Sequence, residues 1–148
     1  MAASDDIAKG AAGEIRGLHV FLEDWLGGKL PRDAETYAGF TSMFEPGFVI
    51  IGPNGATTRL DDLLPNLEGA HGARAGTTPP FAIRIETVTP LHIWGDQALV
   101  AYEEWQDLPE GTTARQSSVL FRRAPEARHG VRWLHLHETW IEGHALPA

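Results

Sequence analysis

The sequence of 148 residues contains no cysteine. Disulfides, zinc–thiolate sites, iron–sulfur clusters and a thiol nucleophile are therefore all excluded. Basic residues are also few: 12 Lys and Arg stand against 20 Asp and Glu, which leaves a formal net charge of -8. A chain of that charge repels nucleic acid and anionic membranes, so neither is expected as a partner.

Long hydrophobic runs are missing as well. No segment approaches the roughly 20 apolar residues that a membrane-spanning helix needs. The N-terminal segment carries Asp5 and Asp6 and lacks the apolar stretch of a signal peptide. We therefore expect a cytoplasmic protein, with residues 1–148 forming one domain, since compact domains have about this length.

The first half of the chain has helical periodicity. Apolar residues recur every three or four positions over residues 7–26, which predicts an amphipathic helix that Gly27 and Gly28 terminate. A shorter helix is expected to begin near Asp33 and to end before Pro46, and a third to begin at Leu60. A short hairpin, turning at Asn54-Gly55, separates the second helix from the third.

The second half alternates apolar and polar residues with the period of a strand. Strands are predicted over residues 81–87, 97–106, 114–123 and 131–141. Because short connections join them, they should form an antiparallel meander. The fold class is therefore α+β, with three N-terminal helices packed on a curved, mainly antiparallel sheet.

This order of elements, together with three stretches of the C-terminal half, resembles the nuclear-transport-factor-2-like superfamily. The stretches are GDQALVAY at 95–102, RQSSVLFRR at 115–123 and WLHLH at 133–137. They are most similar to the SnoaL-like branch and to the association domains of calcium/calmodulin-dependent kinases. The resemblance implies a cone-like fold in which the sheet wraps the helices around a pocket.

The resemblance also indicates which side chains face that pocket. Residues two apart on a strand share a face, and the superfamily pattern places the even-numbered residues of the last three strands inside. Glu104, Gln116 and Glu138 should then form one cross-strand row. In the kinase association domains, arginines line the pocket at the positions that correspond to Glu104, Ser118 and Trp140 of this chain. Because none of these three residues is an arginine, the resemblance argues against anion binding by such arginines here. The predicted ligand contacts are Gln116, Ser118, Leu120, Leu136, Trp140 and Tyr37.

The predicted catalytic residues are Glu104, Glu138 and Tyr102. Burial raises the pKa of a carboxyl group toward neutrality, where it suits general acid–base catalysis. Ketosteroid isomerases of the superfamily use a pocket carboxylate in this way, and Tyr102 would donate to a developing oxyanion. In the competing interpretation the glutamates are structural, and Glu138 pairs with Arg115 or Arg84.

The histidines allow several interpretations. His135 and His137 share the face opposite to the pocket and could bind a metal if His92 or a neighbouring carboxylate supplied a third ligand. Histidines in a subunit interface need no metal, and we predict neither a metal nor a cofactor. His19 lies at the edge of the apolar stripe of the first helix, so it either packs in the core or reaches the pocket.

The predicted function is binding of a small, largely apolar molecule in the cone. Whether cofactor-free chemistry of the isomerase or cyclase type accompanies binding is left open, and the alternative is a non-catalytic oligomerisation module. A homodimer is expected through the convex face of the sheet, because that face should present too much apolar surface to leave in water. The apolar residues assigned to it are Trp133, Val119, Phe121, Leu99 and Trp105.

Overall fold

The computed structural model describes residues 3–146, with side chains from residue 6 onward. Helices α1 (Ala3–Leu26), α2 (Ala34–Thr41) and α3 (Leu60–Gly69) agree with the three helices predicted. The Asp33 carboxylate caps α2 by accepting a 2.8 Å hydrogen bond from the amide of Thr36. Within residues 3–146 no helix combines the length and apolar character needed to cross a bilayer.

The sheet has six strands: β1 (Phe44–Ile51), β2 (Thr57–Arg59), β3 (Ala82–Trp94), β4 (Gln97–Leu108), β5 (Gly111–Arg123) and β6 (Val131–Trp140). Their spatial order is β2-β1-β6-β5-β4-β3, which confirms the C-terminal meander. All neighbours are antiparallel except β1 and β6, which are parallel.

The prediction that α2 extends almost to Pro46 is wrong, because the chain enters β1 at Phe44. The three helices cover the sheet, so the predicted α+β class is confirmed.

One edge of α1 is a groove formed by Gly10, Gly13 and Gly17, and His129 of the β5–β6 connection lies in it. A Cβ atom on Gly10 would come 2.3 Å from the His129 carbonyl oxygen, and one on Gly13 would come 3.0 Å from the imidazole. Glycine at these positions therefore allows the connection to approach the helix backbone closely. Beside the groove, the buried Glu14 carboxylate accepts hydrogen bonds from His129 Nδ1 (3.2 Å) and from Trp133 Nε1 (3.0 Å).

The alternation on β4 is as predicted, but the prediction for β5 is wrong by one residue. The turn between the strands has only two residues and pairs Leu108 with Gly111, so every even-numbered residue of β4 lies opposite an odd-numbered residue of β5. Paired residues share a face of the sheet. The core side of β5 is therefore formed by odd-numbered residues, and Gln116, Ser118 and Leu120 face away from it.

The convex face is also less apolar than predicted. Val119 and Phe121 lie on the core side of β5 and are fully buried, as is Trp133. Trp133 turns inward because a register shift between Leu120 and Phe121 offsets the pairing of β5 with β6, so Phe121 pairs with Trp133. Of the five apolar residues assigned to this face, Leu99 and Trp105 remain there, both half-buried.

Candidate functional site

A cavity of about 220 Å³ lies between α1, α3 and the concave face of the sheet. Most of its wall is aliphatic or aromatic. The apolar lining residues are Leu18, Leu22, Leu26, Phe40, Phe44, Phe48, Ile50, Leu63, Leu67, Ile83, Trp133 and Leu136. The polar lining residues are His19, Glu104, Gln106, Arg115 and Glu138. A largely apolar space is thus combined with a small group of ionisable side chains.

Two of these side chains form a buried ion pair between α1 and β4. His19 Nε2 lies 3.1 Å from Glu104 Oε1, and His19 Nδ1 lies 2.7 Å from the carbonyl oxygen of Ile15. Both ring nitrogens thus face acceptors, which favours the doubly protonated imidazolium. Burial opposes this charge, but the charge and hydrogen bond of Glu104, together with the Ile15 carbonyl and the charge of Glu138, outweigh burial and raise the pKa of His19.

The carboxylate of Glu104 has a partner on each oxygen. Its Oε2 accepts a 2.6 Å hydrogen bond from Gln106 Nε2, and its Oε1 lies next to His19. Burial alone would raise the pKa of Glu104, but the charge and hydrogen bond of His19, together with Arg115 and Gln106, lower it to about 2. Glu104 therefore stays ionised at neutral pH.

Arg115 and Glu138 form the second pair. Arg115 Nη1 lies 3.4 Å from Glu138 Oε1, and the guanidinium carbon lies 4.9 Å from the centre of the Trp140 ring. Burial and the negative charge of Glu104 raise the pKa of Glu138 to about 7, although Arg115 and His19 act in the opposite direction. Glu138 is thus the cavity carboxyl group whose charge changes near neutrality.

The single cross-strand row predicted for Glu104, Gln116 and Glu138 is wrong, because Glu104 and Glu138 belong to two neighbouring rows of the sheet. Glu104 pairs across the strands with Arg115, and Glu138 pairs with Ser117, so Gln116 does not lie between the two glutamates. An arginine therefore does enter the cavity, contrary to the expectation that this chain lacks one there. The two-residue turn between β4 and β5 is the signal that could have placed Arg115 inside.

Tyr102 lies behind the polar group and does not line the cavity. Its ring packs edge-on against His19 at 5.4 Å between ring centres, and it pairs with Ser117 across β4 and β5. Burial, and then the charges of Glu104 and Glu138, raise the pKa of Tyr102 well above its ordinary value. Its hydroxyl has no hydrogen-bond partner among residues 3–146, and it stays a neutral phenol.

Of the predicted ligand contacts, Leu136 lines the cavity. Tyr37 does not: it packs against Trp25 and donates its hydroxyl proton to the carbonyl oxygen of Leu64. Trp140 lies at the edge of the polar group, where Nε1 donates a 2.7 Å hydrogen bond to Asn54 Oδ1. Gln116, Ser118 and Leu120 lie on the opposite face of the sheet, because β5 is offset by one residue.

His135 and His137 lie on the face opposite to the cavity, as the alternation on β6 predicts. His92, one candidate for a third ligand, stacks on Trp94 at 5.3 Å between ring centres. Across residues 3–146, no three His, Asp or Glu side chains are grouped so that they could hold a metal ion.

Residues 11–142 match the family described as sucrose-6-phosphate phosphohydrolase C-terminal. The chain is 25% identical to sucrose-phosphatase 1 of Nicotiana tabacum over 133 residues. These residues are 89% of this chain and 31% of that relative. The chain thus spans about a third of the length of the curated relatives it matches.

Solved structures carry the same fold. A nuclear-transport-factor-2-like protein of unknown function from Pseudomonas aeruginosa is 28% identical, with a TM-score of 0.78 over 89% of this chain and 98% of that one. The CaMKII hub of S. rosetta is 14% identical, with a TM-score of 0.66 over 90% and 95% of the two chains. The superfamily inferred from the sequence is therefore confirmed, together with its fold.

Proposed function

We propose that this chain, which belongs to the sucrose-6-phosphate phosphohydrolase C-terminal family, binds one small and largely apolar molecule in the cavity between its helices and its sheet. The observation that carries the proposal is that the cavity wall combines a large apolar part with a small ionisable part. Apolar side chains form most of it, and the ionisable groups His19, Glu104, Arg115 and Glu138 complete it. Binding sites for small molecules commonly combine apolar walls with a few polar groups that fix orientation.

The cavity volume limits the size of the molecule. Since an apolar cavity of about 150 Å³ can hold benzene, about 220 Å³ accommodates roughly ten non-hydrogen atoms. A phosphorylated disaccharide is more than twice that size and carries many hydroxyl groups, which apolar walls cannot satisfy. The substrate in the family's name therefore fits this cavity poorly, and the proposed ligand is a smaller and less polar molecule.

Glu138 is the cavity group that we propose for acid–base chemistry. Its pKa of about 7 lets it accept and release a proton near neutrality. Glu104 is held ionised by His19 and Gln106, so its proposed role is to fix the charge of its neighbours. Tyr102 does not line the cavity, so any oxyanion formed there would find its donor in Arg115.

Binding can be tested with 2-phenylethanol, a neutral probe of suitable size, by isothermal titration calorimetry and by the fluorescence of the tryptophans, of which Trp133 lines the cavity. The blocking variant is Leu136→Phe, which adds a ring at the cavity wall. Its matched control is Leu120→Phe, which adds the same ring on the opposite face of the sheet. We expect saturable binding to the wild type and the control, and loss of binding in Leu136→Phe.

The acid–base role of Glu138 can be tested with phenylacetone, a ketone of similar size. In D₂O, Glu138 would remove a proton from the carbon next to the carbonyl group and return a deuteron, which NMR detects as loss of the proton signal. We expect the wild type to accelerate this exchange and Glu138→Gln to abolish the acceleration. Exchange that persists in Glu138→Gln would contradict the role while leaving the binding proposal intact.

A second candidate function is assembly through the convex face of the sheet. Trp94 is 53% exposed there, and the half-buried Leu99 and Leu120 lie beside each other on β4 and β5. A homodimer would cover this apolar patch, and the chain shares its fold with a kinase hub. Light scattering of the wild type should then give twice the chain mass, and Trp94→Ser should shift the protein toward the monomer. A monomeric wild type would exclude this candidate at the concentrations used.

A further inference from the structure

Arg115 is half-buried and has few hydrogen-bond partners for a guanidinium in such a position. In the part of the chain that the structure describes, its one ion-pair contact is with Glu138 at 3.4 Å, which is long for a hydrogen bond between charged groups. Its Nε is buried and has no hydrogen-bond partner among residues 3–146. The face of the guanidinium stacks on Trp140, which holds it in place without neutralising its charge. Arg115 therefore has unused capacity to bind an acceptor at the cavity wall.

The charges around Arg115 leave room for one further anion. The cavity receives His19 from α1, Glu104 from β4, Arg115 from β5 and Glu138 from β6, whereas the lining residues of α3 and β1 are apolar. His19 and Glu104 neutralise each other in their buried pair. With Glu138 protonated, Arg115 and the protonated His19 share the single negative charge of Glu104, and a net charge of one positive unit remains among these side chains.

We propose that the molecule held in the cavity is a small monocarboxylic acid, with its carboxylate on the Arg115 guanidinium and its apolar body against the helices. This inference rests on the proposed function and names the ligand class for the same site. A carboxylate matches the fork of guanidinium donors and supplies the missing negative charge. The apolar lining leaves space for a body of a single ring or a short alkyl chain.

Binding of the acid is coupled to protonation of Glu138. With Glu138 ionised, Arg115 is already neutralised, and a second carboxylate close to Glu104 and Glu138 would be repelled. The protein therefore takes up a proton at Glu138 when the acid binds above the pKa of that group, which is about 7. The affinity should be constant well below this pH and fall about tenfold for each unit above it.

The probes are phenylacetate and 2-phenylacetamide, which have nearly the same size and shape but differ in charge. Calorimetric titrations at about pH 6 and about pH 8.5, in buffers of different ionisation heat, give both the affinities and the number of protons taken up. We expect phenylacetate to bind at least tenfold more tightly than the amide at the lower pH. Its affinity should fall about 30-fold at the higher pH, whereas that of the amide should hardly change.

Two variants separate the roles of the charged groups. Arg115→Gln should abolish the preference for the acid while the amide still binds, and Arg122→Gln, an exposed arginine of the same strand, is its control. If Arg115→Gln does not fold, Glu138→Gln provides the test, because it imitates the protonated form. It should bind phenylacetate at about pH 8.5 as tightly as the wild type does at about pH 6, without proton uptake.

The results distinguish this inference from the proposal on which it rests. Equal affinity for acid and amide at both pH values, or tighter binding of the acid as the pH rises, would overturn the monocarboxylate assignment and leave the binding function in place. Failure of the acid, the amide and 2-phenylethanol to bind would overturn both. A preference for the acid that survives in Arg115→Gln would show that another group holds the carboxylate and would also overturn the inference.

Discussion

His19 and Glu104 are 85 positions apart in the chain, yet His19 Nε2 and Glu104 Oε1 lie 3.1 Å apart in a buried position. This contact joins α1 to the middle of the sheet at the wall of the cavity. Each residue alone would be a costly buried charge, and together they neutralise each other. The pair thus connects the stability of the fold with the charge balance of the site.

The first prediction concerns Glu104→Gln. The substitution leaves protonated His19 without its anion, so we expect the free energy of unfolding at pH 7 to fall by about 3–5 kcal/mol, as is usual when one partner of a buried pair is removed. Urea denaturation measures this loss. The matched control is Glu103→Gln on the opposite face, where the carboxylate accepts one hydrogen bond from Trp105, and its effect should stay within about 1 kcal/mol. Wild-type stability in Glu104→Gln would show that His19 does not depend on this carboxylate.

The second prediction concerns Glu138 and pH. Its pKa is about 7 in the folded protein and close to the ordinary 4.5 in the unfolded chain. Between these values the unfolded chain releases the proton while the folded protein retains it, so stability present below pH 4.5 is lost as the pH rises to 7. Relative to Glu138→Gln, the wild type should lose up to about 3 kcal/mol across this window. Denaturation curves at several pH values measure the difference, and parallel pH profiles would contradict it.

The third prediction tests the glycine groove of α1. Alanine at Gly10 would place its Cβ 2.3 Å from the His129 carbonyl oxygen, so the β5–β6 connection must move. We expect Gly10→Ala to lower the melting temperature, with a cost of about 1–3 kcal/mol. Gly39→Ala on α2 is the control, because among residues 3–146 no atom beyond its chain neighbours and its own helix backbone lies within 4 Å of its Cβ position. The free energy of unfolding of Gly39→Ala should rise by up to about 1 kcal/mol, because alanine has a higher helix propensity than glycine. Equal effects of the two substitutions would exclude a steric role for the groove.

The fourth prediction concerns Glu14, which is buried and holds the indole of Trp133 by a 3.0 Å hydrogen bond. Glu14→Ala leaves the indole N–H without its acceptor and creates a small cavity, so we expect a loss of about 2–4 kcal/mol. Because Trp133 lines the proposed binding site, its fluorescence spectrum should change in the folded variant. Arg16→Ala, at a side chain directed toward the exposed Ile85 carbonyl, should alter neither property. An unchanged spectrum in Glu14→Ala would show that the indole is held by packing alone.

Much of the fold followed from local patterns. The apolar stripe of α1, the Asp33 cap and the alternation on β4 are each set by residues close together in the chain. Local patterns were less successful in predicting which residues of each C-terminal strand face the core. The prediction was correct for Glu104 on β4 but wrong for β5, where the two-residue turn pairs Leu108 with Gly111.

The candidate site was predictable in part for the same reason. Glu104, Glu138 and Leu136 line the cavity because the alternation on their own strands fixes their direction. Arg115 was assigned only as a structural partner, since its direction depends on the register between two strands. His19 was ambiguous, because an edge position on a helix does not reveal which sheet residue it meets.

The amino-acid sequence by itself determined the α+β class, the helical and extended segments and the exclusion of thiol chemistry, because composition and periodicity are properties of the chain alone. Only the tertiary structure decided that His19 meets Glu104, that Arg115 points inward and that Trp133 is buried. The direction of Arg115 depends on the register between β4 and β5, and that of Trp133 depends on the register shift in the pairing of β5 with β6. In a strand, a displacement of one residue reverses the direction of every side chain that follows.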